Sequence, residues 1–141
     1  MFSVALNKRF ASHGINSNAL MPGVIMTNLQ RSMSLEEKKH FGMLDADGKP
    51  ILNNPRFKTI EQGASTSVWA CVASQLEGRG GLYLEDCQIS PEKSQVELMK
   101  ELGDIHKMPT GVCPYAINEQ TADKLWDLSE NLTSSRPRSS N

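Results

Sequence analysis

The sequence predicts an α/β fold built on a parallel sheet of the doubly wound class. Segments with helical periodicity alternate with short apolar runs of strand-forming residues, in the order helix, strand, long polar segment, helix, strand. Glycine or Pro-Gly turns separate these segments. Because a strand, a crossing helix and a second strand form a parallel pair, this order favours helices packed on a parallel sheet. We expect about two strands and three or more helices.

Length and charge describe one nearly neutral domain. The chain has 141 residues, with 15 basic and 16 acidic side chains and a net charge of −1. This balance argues against nucleic acid and anionic lipid as partners. No stretch approaches the roughly 18 apolar residues of a membrane span, and Lys8 and Arg9 come too early for a signal peptide. We therefore expect no membrane span and a cytoplasmic location.

The first helix and the first strand follow each other at the start of the chain. Large apolar residues recur at helical spacing, namely Phe2, Leu6 and Phe10. His13 and Gly14 then provide a helix end. Residues 15–21 contain the apolar side chains of a short buried strand, which ends at Pro22-Gly23.

Residues 27–58 form a long polar segment that we interpret as a substrate lid. Ser34, with Glu37 three residues later, predicts a short capped helix within it, and turn-forming residues follow. Long loops in compact domains often cover a ligand. The lid also carries apolar residues that indicate either a lipophilic substrate or packing within the lid: Met26, Leu29, Met33, Leu35, Phe41, Met43 and Leu44.

A second helix and strand follow the lid, and another helix lies near the end. Thr59 and Gln62 form a capping box before residues 60–76. After the glycines of GRGG, the segment LYLEDCQ is typical of a strand. The C-terminal helix is predicted from apolar residues on one face: Ala122, Leu125, Trp126 and Leu132. Residues 133–141 are small and polar, which predicts a disordered tail.

Taken together, four segments resemble the C-terminal half of the short-chain dehydrogenase/reductases, particularly the retinol-dehydrogenase-like and WW-domain-oxidoreductase-like branch. The resemblance lies in the stretch containing PGVIMT and in TIEQGASTSVWACVAS, GRGGLYLEDCQ and TADKLWDLSE. It covers about residues 2–132, so residues 1–132 are interpreted as the C-terminal part of such a domain. It implies the C-terminal portion of a Rossmann-type doubly wound sheet whose first half is missing.

The family resemblance implies NAD- or NADP-dependent hydride transfer on an alcohol or carbonyl substrate in the complete protein. It also implies four cofactor-binding residues in this chain. Pro22 and Gly23 would shape the turn after the strand, the backbone around Ile25 would meet the nicotinamide carboxamide, and the Thr27 hydroxyl would hydrogen-bond to that carboxamide. A ligand of an open α/β sheet lies beyond the carboxyl ends of the strands, where this turn is expected. An N-cap role for Thr27 is the alternative, and the two roles are compatible.

The sequence departs from the family pattern at the catalytic centre. The family uses a Tyr with a Lys four residues later as an acid–base pair, but Tyr83 is followed by Cys87 and Tyr115 by Glu119. The glycine-rich GxGxxG turn that binds pyrophosphate is also absent. We therefore assign no catalytic residue and expect the chain to be inactive alone. The alternative is a non-catalytic truncated isoform that acts as an interaction or regulatory protein.

The predicted sheet edge and the spacing of the histidines and cysteines indicate which partners and metals to expect. A sheet that ends at an exposed edge invites association, so we expect a homo-oligomer or a partner covering it. The three histidines share no metal-ligand spacing and no metal site is predicted: His13, His40 and His106. The three cysteines form no CxxC pair, and Cys71 and Cys87 are expected to be buried reduced thiols.

Overall fold

A computed structural model describes residues 1–51, 54, 56–102 and 108–134, and it confirms a mixed α/β fold. The α-helices are α1 (Phe2–Phe10), α2 (Leu35–His40), α3 (Ile60–Val72), α4 (Gln95–Leu102) and α5 (Glu119–Ser134). The strands are β1 (Ala19–Met21), β2 (Val24–Ile25), β3 (Phe57–Lys58), β4 (Tyr83–Glu85) and β5 (Gln88–Ile89).

The strands form a three-stranded sheet and a separate pair. In the larger sheet β1 lies parallel to β4, with Leu20 opposite Leu84, and β5 adds to β4 as an antiparallel strand. The smaller sheet pairs β2 with β3 in parallel. Helix α3 packs against β1, β2, β3 and β4. The chain therefore runs from β1 through α3 to its parallel neighbour β4, which is the arrangement that the sequence predicts.

A second packing unit joins the two ends of the described chain. Helices α1 and α5 bury Val4, Ala5 and Ala122 between them, and Ala5 and Ala122 are completely inaccessible. Two alanines at the contact allow the helix backbones to approach closely. Trp126 packs against this cluster and stacks on Phe2 with ring centroids 5.0 Å apart. Trp126 therefore anchors the C-terminal helix, as the sequence indicates.

Charged side chains line the rim of the α1–α5 contact. Lys8 Nζ donates to Asp123 at 2.8 Å, and Arg9 donates to the other oxygen of the same carboxylate at 2.7 Å. These hydrogen bonds, first from Lys8 and then from Arg9, lower the pKa of Asp123. The bond to Asp123, followed by that to Glu119, raises the pKa of Lys8.

Acid is expected to weaken the α1–α5 contact through Asp123. Because the folded-state pKa of Asp123 is lowered, its stabilisation is complete above its ordinary value of 3.8 and is lost as the pH falls through the folded-state value. We expect Asp123→Asn to lower the thermal midpoint at pH 7 and to make no difference near pH 2. Circular dichroism melts from pH 7 to 2 measure this, with Asp47→Asn in an exposed turn as the control. A difference that persists undiminished in acid would contradict the assignment.

Local capping signals were reliable guides to the helices. The capping boxes of Ser34 with Glu37 and of Thr59 with Gln62 are both present, which confirms the predicted starts of α2 and α3. Helix α1 ends through a short 3-10 turn at Gly14, which has a φ of 77°. Helix α4 was not predicted, although Ser94 and Glu97 make the same reciprocal hydrogen bonds at its start.

The strand predicted over LYLEDCQ is corrected to a hairpin. Strand β4 ends at Glu85, and β5 begins at Gln88. Asp86 and Cys87 form the connection with φ values of 48° and 57°. Two positive values match the mirror-image turn that suits the twist of a two-residue hairpin.

The predictions about cysteines and the chain end are also modified. Cys71 is exposed and Cys87 lies half-buried in the hairpin turn, so both expectations of buried thiols were wrong, whereas Cys113 is buried. Helix α5 continues to Ser134, two residues into the predicted tail, and residues 135–141 lie outside the described part of the chain. His106 also lies outside it.

Neither a membrane-spanning helix nor a metal-binding cluster is present among the described residues. No helix among them is both long and apolar enough to cross a membrane. No three His, Cys, Asp or Glu side chains in the same part of the chain come together in a way that could hold a metal ion.

Candidate functional site

The candidate site begins where β1 ends. Pro22 and Gly23 follow the last residue of β1 and connect it to β2. Because β1 and β4 are parallel, their carboxyl ends lie side by side, and Glu85 is the register partner of Met21. Ligands of open α/β sheets bind outside these strand ends. The predicted turn therefore lies at the edge where a ligand of this fold is expected.

Gly23 is required by its backbone conformation and by its neighbour. Its φ is 94°, and a Cβ added at this position would lie 2.7 Å from Cδ of Lys58. The aliphatic part of the Lys58 side chain thus occupies the space that a side chain at position 23 would need. Its ammonium group is paired with Asp86 in the β4–β5 hairpin. This ion pair joins the Pro-Gly turn to the end of the larger sheet.

Ile25 is held against helix α3. A Cβ added at Gly63 would lie 2.5 Å from Cγ1 of Ile25, so the glycine lets strand β2 approach the helix closely. Strand β2 also pairs with β3, where Ile25 is the register partner of Lys58. The backbone at Ile25 is therefore positioned from two sides, by the helix and by the neighbouring strand.

Thr27 caps the 3-10 turn Asn28–Ser32, and this confirms its N-cap role. The Leu29 N–H donates to Thr27 Oγ1 at 3.2 Å. Gln30 reaches back in two directions: its Oε1 accepts the Thr27 N–H at 2.8 Å, and its Nε2 donates to the Ile25 carbonyl oxygen at 3.0 Å. The Thr27 hydroxyl is exposed and lies 3.4 Å from the same Oε1.

These contacts test whether the site suits a primary carboxamide. Such a group needs an acceptor for its N–H and donors for its oxygen. The Ile25 carbonyl supplies the acceptor, and the Thr27 N–H and hydroxyl supply the donors. The Gln30 side chain is itself a primary carboxamide and satisfies both needs at 3.0 Å and 2.8 Å. These groups therefore match the hydrogen-bonding pattern of a nicotinamide carboxamide, and the Gln30 side chain occupies them in this structure.

An open cleft of about 260 Å³ adjoins Thr27 and Gln30. Its apolar wall comes from Met26 and from residues of the predicted lid, and Met43 alone is buried among the seven apolar side chains that the sequence singles out there. Leu29, Leu35 and Phe41 are at least half exposed. Packing within the described part of the predicted lid thus leaves apolar surface beside Thr27 and Gln30: Met26, Leu35 and Leu44 line the cleft.

Neither of the two tyrosines is close in sequence to residues 22–27. Tyr83 is in β4 opposite Ala19, and burial, followed by the charge of Glu85, raises its pKa. Tyr115 is exposed in the 3-10 turn Pro114–Ile117.

All four residues predicted for cofactor binding lie in one short stretch, from Pro22 to Thr27. Sequence reasoning missed Lys58, which covers Gly23, and Gln30, which bonds to both Ile25 and Thr27. The Thr-x-x-Gln spacing of a capping box was a usable signal for Gln30. No comparable local signal pointed to Lys58, because its neighbour in space is 35 residues earlier in the chain.

The region that aligns with known proteins covers most of this chain but less than two fifths of the length of each relative. A probable oxidoreductase of Streptomyces lividans is 39% identical over 129 residues, which are 90% of this chain and 39% of the relative. A short-chain dehydrogenase/reductase of Penicillium roqueforti is 35% identical over 88% of this chain and 32% of its own length. A WW domain-containing oxidoreductase of Pongo abelii is 32% identical over 96% of this chain and 26% of its length.

The other two comparisons found nothing: no family model and no solved structure matches the chain.

Proposed function

Because this chain is homologous to part of the short-chain dehydrogenase/reductases, as its sequence predicts, we propose that it carries the nicotinamide end of an NAD(P) site and the substrate lid of an oxidoreductase. The reaction of the complete enzyme would be hydride transfer between the cofactor and an alcohol or carbonyl substrate. The observation that supports this most strongly is the set of carboxamide-binding groups at Ile25 and Thr27, located just beyond the carboxyl end of β1.

Each predicted residue has a defined part in this proposal. Pro22 and Gly23 turn the chain beyond β1, and the missing side chain of Gly23 admits the Lys58 stem. The Ile25 carbonyl accepts a carboxamide N–H, and the Thr27 N–H and hydroxyl donate to the carboxamide oxygen. When bound, the nicotinamide ring supplies the carbon that gives or accepts hydride. The chain orients that ring by its carboxamide.

The lid is proposed to receive the substrate over residues 27–58. Its exposed apolar side chains favour a lipophilic substrate, since a cleft lined by Met26, Leu35 and Leu44 adjoins Thr27. Residues 1–132 are proposed as the C-terminal portion of the Rossmann-type domain. The present 141 residues contain no Tyr with a Lys four positions later, so we propose that this polypeptide alone does not transfer hydride.

Nicotinamide mononucleotide tests the proposal directly. In amide-resolved NMR of the 141-residue polypeptide, we expect it to shift the signals of Gly23, Ile25, Thr27 and Leu29 at millimolar concentration, whereas AMP should shift none of them. We expect NAD⁺ to bind no more than a few times more tightly than the mononucleotide, because the chain lacks a recognised pyrophosphate turn. Thr27→Val should weaken binding about fivefold through loss of one hydrogen bond, and Thr27→Ser should retain it.

Three results would each overturn part of the proposal. Absence of any shift at residues 23–29 would remove the nicotinamide site and favour the non-catalytic interaction protein. NAD⁺ binding 100 times more tightly than the mononucleotide would mean that the chain holds a phosphate site of its own. Turnover of an alcohol, followed by NADH absorbance, would overturn the proposed inactivity of the isolated polypeptide.

A further inference from the structure

We infer that Gln30 is a resident carboxamide that competes with nicotinamide for the groups at Ile25 and Thr27. The inference rests on the proposed function and adds a regulatory element to that same site. A nicotinamide would need to displace the Gln30 side chain before its own carboxamide could form the same hydrogen bonds. Gln30 would thus set the affinity of the site without contributing to the chemistry.

The Gln30 side-chain amide and a nicotinamide carboxamide present the same donor and acceptor atoms. Gln30 Nε2 donates to the Ile25 carbonyl at 3.0 Å, and Gln30 Oε1 accepts the Thr27 N–H at 2.8 Å. A nicotinamide carboxamide presents the same NH₂ and C=O on one planar group. The Thr27 hydroxyl lies 3.4 Å from Gln30 Oε1, so all three protein groups converge on the Gln30 amide.

A capping box accounts for only one of these bonds. In that motif the side chain at the third helical position accepts the backbone N–H of the cap, as Gln30 does from Thr27. The bond from Gln30 Nε2 to the Ile25 carbonyl is additional, and a glutamate would cap equally well without making it. The Gln30 amide satisfies both an acceptor, the Ile25 carbonyl, and a donor, the Thr27 N–H. A bound carboxamide would do the same.

Free nicotinamide and Gln30 variants test the competition. Two substitutions separate capping from mimicry: Gln30→Met removes both hydrogen bonds, and Gln30→Glu keeps the capping acceptor but cannot donate to Ile25. We expect nicotinamide to bind Gln30→Met about fivefold more tightly than the wild type, because it no longer has to displace the Gln30 side chain. Gln30→Glu should lie between them. Nicotinate, which has no NH₂ group to donate to the Ile25 carbonyl, should gain less than nicotinamide from Gln30→Met.

Amide-resolved NMR titration supplies the readout and a check that needs no variant. In the wild type, the side-chain NH₂ signals of Gln30 should shift together with the Thr27 amide as nicotinamide binds. Equal affinity in all three proteins, weaker binding by Gln30→Met, or unmoved Gln30 side-chain signals would overturn the competition while leaving the site intact. Failure of nicotinamide to bind any of the proteins would overturn the carboxamide site itself.

Discussion

Gly63→Val is expected to destabilise the chain by about 3 kcal/mol. Gly63 is buried in helix α3, and a Cβ at this position would come within 2.5 Å of Cγ1 of Ile25. A valine would therefore have to push strand β2 away from the helix. The gain in helix propensity on replacing glycine is at most about 1 kcal/mol, so steric overlap outweighs it. The free energy of unfolding, measured by urea titration, tests the expectation.

The neighbouring position provides a matched control. Ala64 is on the same helix and is exposed, so Ala64→Val should change stability by no more than about 0.5 kcal/mol. Gly63→Ala should cost less than the valine because it adds a single methyl group. A Gly63→Val protein as stable as the wild type would show that β2 does not pack closely on α3, and the positioning of the Ile25 backbone would need another explanation.

Glu85→Ala is expected to cost about 3 kcal/mol, since it leaves the buried Ser90 hydroxyl and the partly buried Gly111 N–H without an acceptor. Glu85 is only 5% exposed. Its Oε1 accepts the Ser90 hydroxyl and the Gly111 N–H, both at 2.7 Å. The carboxylate thus ties the end of β4 both to the residue after β5 and to the segment that precedes Cys113. Removing it would leave that segment held by the backbone hydrogen bonds of Val112 to Pro91 and Lys93.

Conservative replacement distinguishes a lost acceptor from a lost charge. Glu85→Gln keeps one acceptor oxygen, so we expect it to cost about 1 kcal/mol. Glu77→Ala, which removes an exposed carboxylate, should have an effect near zero. Urea titration with an unchanged slope would show that stability alone is altered. If Glu85→Ala matched Glu77→Ala, the hydrogen bonds to Ser90 and Gly111 would have no net value.

Gly63 and Glu85 are expected to support the candidate site through neighbouring residues. Gly63 sets how closely Ile25 approaches α3, and Glu85 is the register partner of the last residue of β1. Neither is expected to touch a nicotinamide. Their substitution should therefore lower stability, whereas substitutions at Thr27 and Gln30 should mainly change affinity. This separation of effects is a practical way to distinguish scaffold from site.

Residues of the candidate site were predictable to the extent that they follow one another in the chain. The resemblance of PGVIMT to a known motif identified Pro22, Gly23, Ile25 and Thr27, and their contiguity needs no tertiary contact. Lys58 was missed because its stem reaches Gly23 only after the chain returns through the lid. Periodicity and spacing in the sequence do not predict contacts between residues that are far apart in the chain.

By itself, the sequence determined four of the five described α-helices, all but α4, and the order of strands β1 and β4. Capping boxes such as Thr59 with Gln62 act within four residues, and helical periodicity records which face is apolar, so both are local properties. Only the tertiary structure decided the hairpin and the short β2–β3 pair. Asp86 and Cys87 adopt left-handed φ values although neither is glycine, with the Cys87 N–H donating to the buried Thr66 hydroxyl at 3.3 Å. Strands of two residues have too few local hydrogen bonds to persist alone, and packing against α3 supplies the remaining stability.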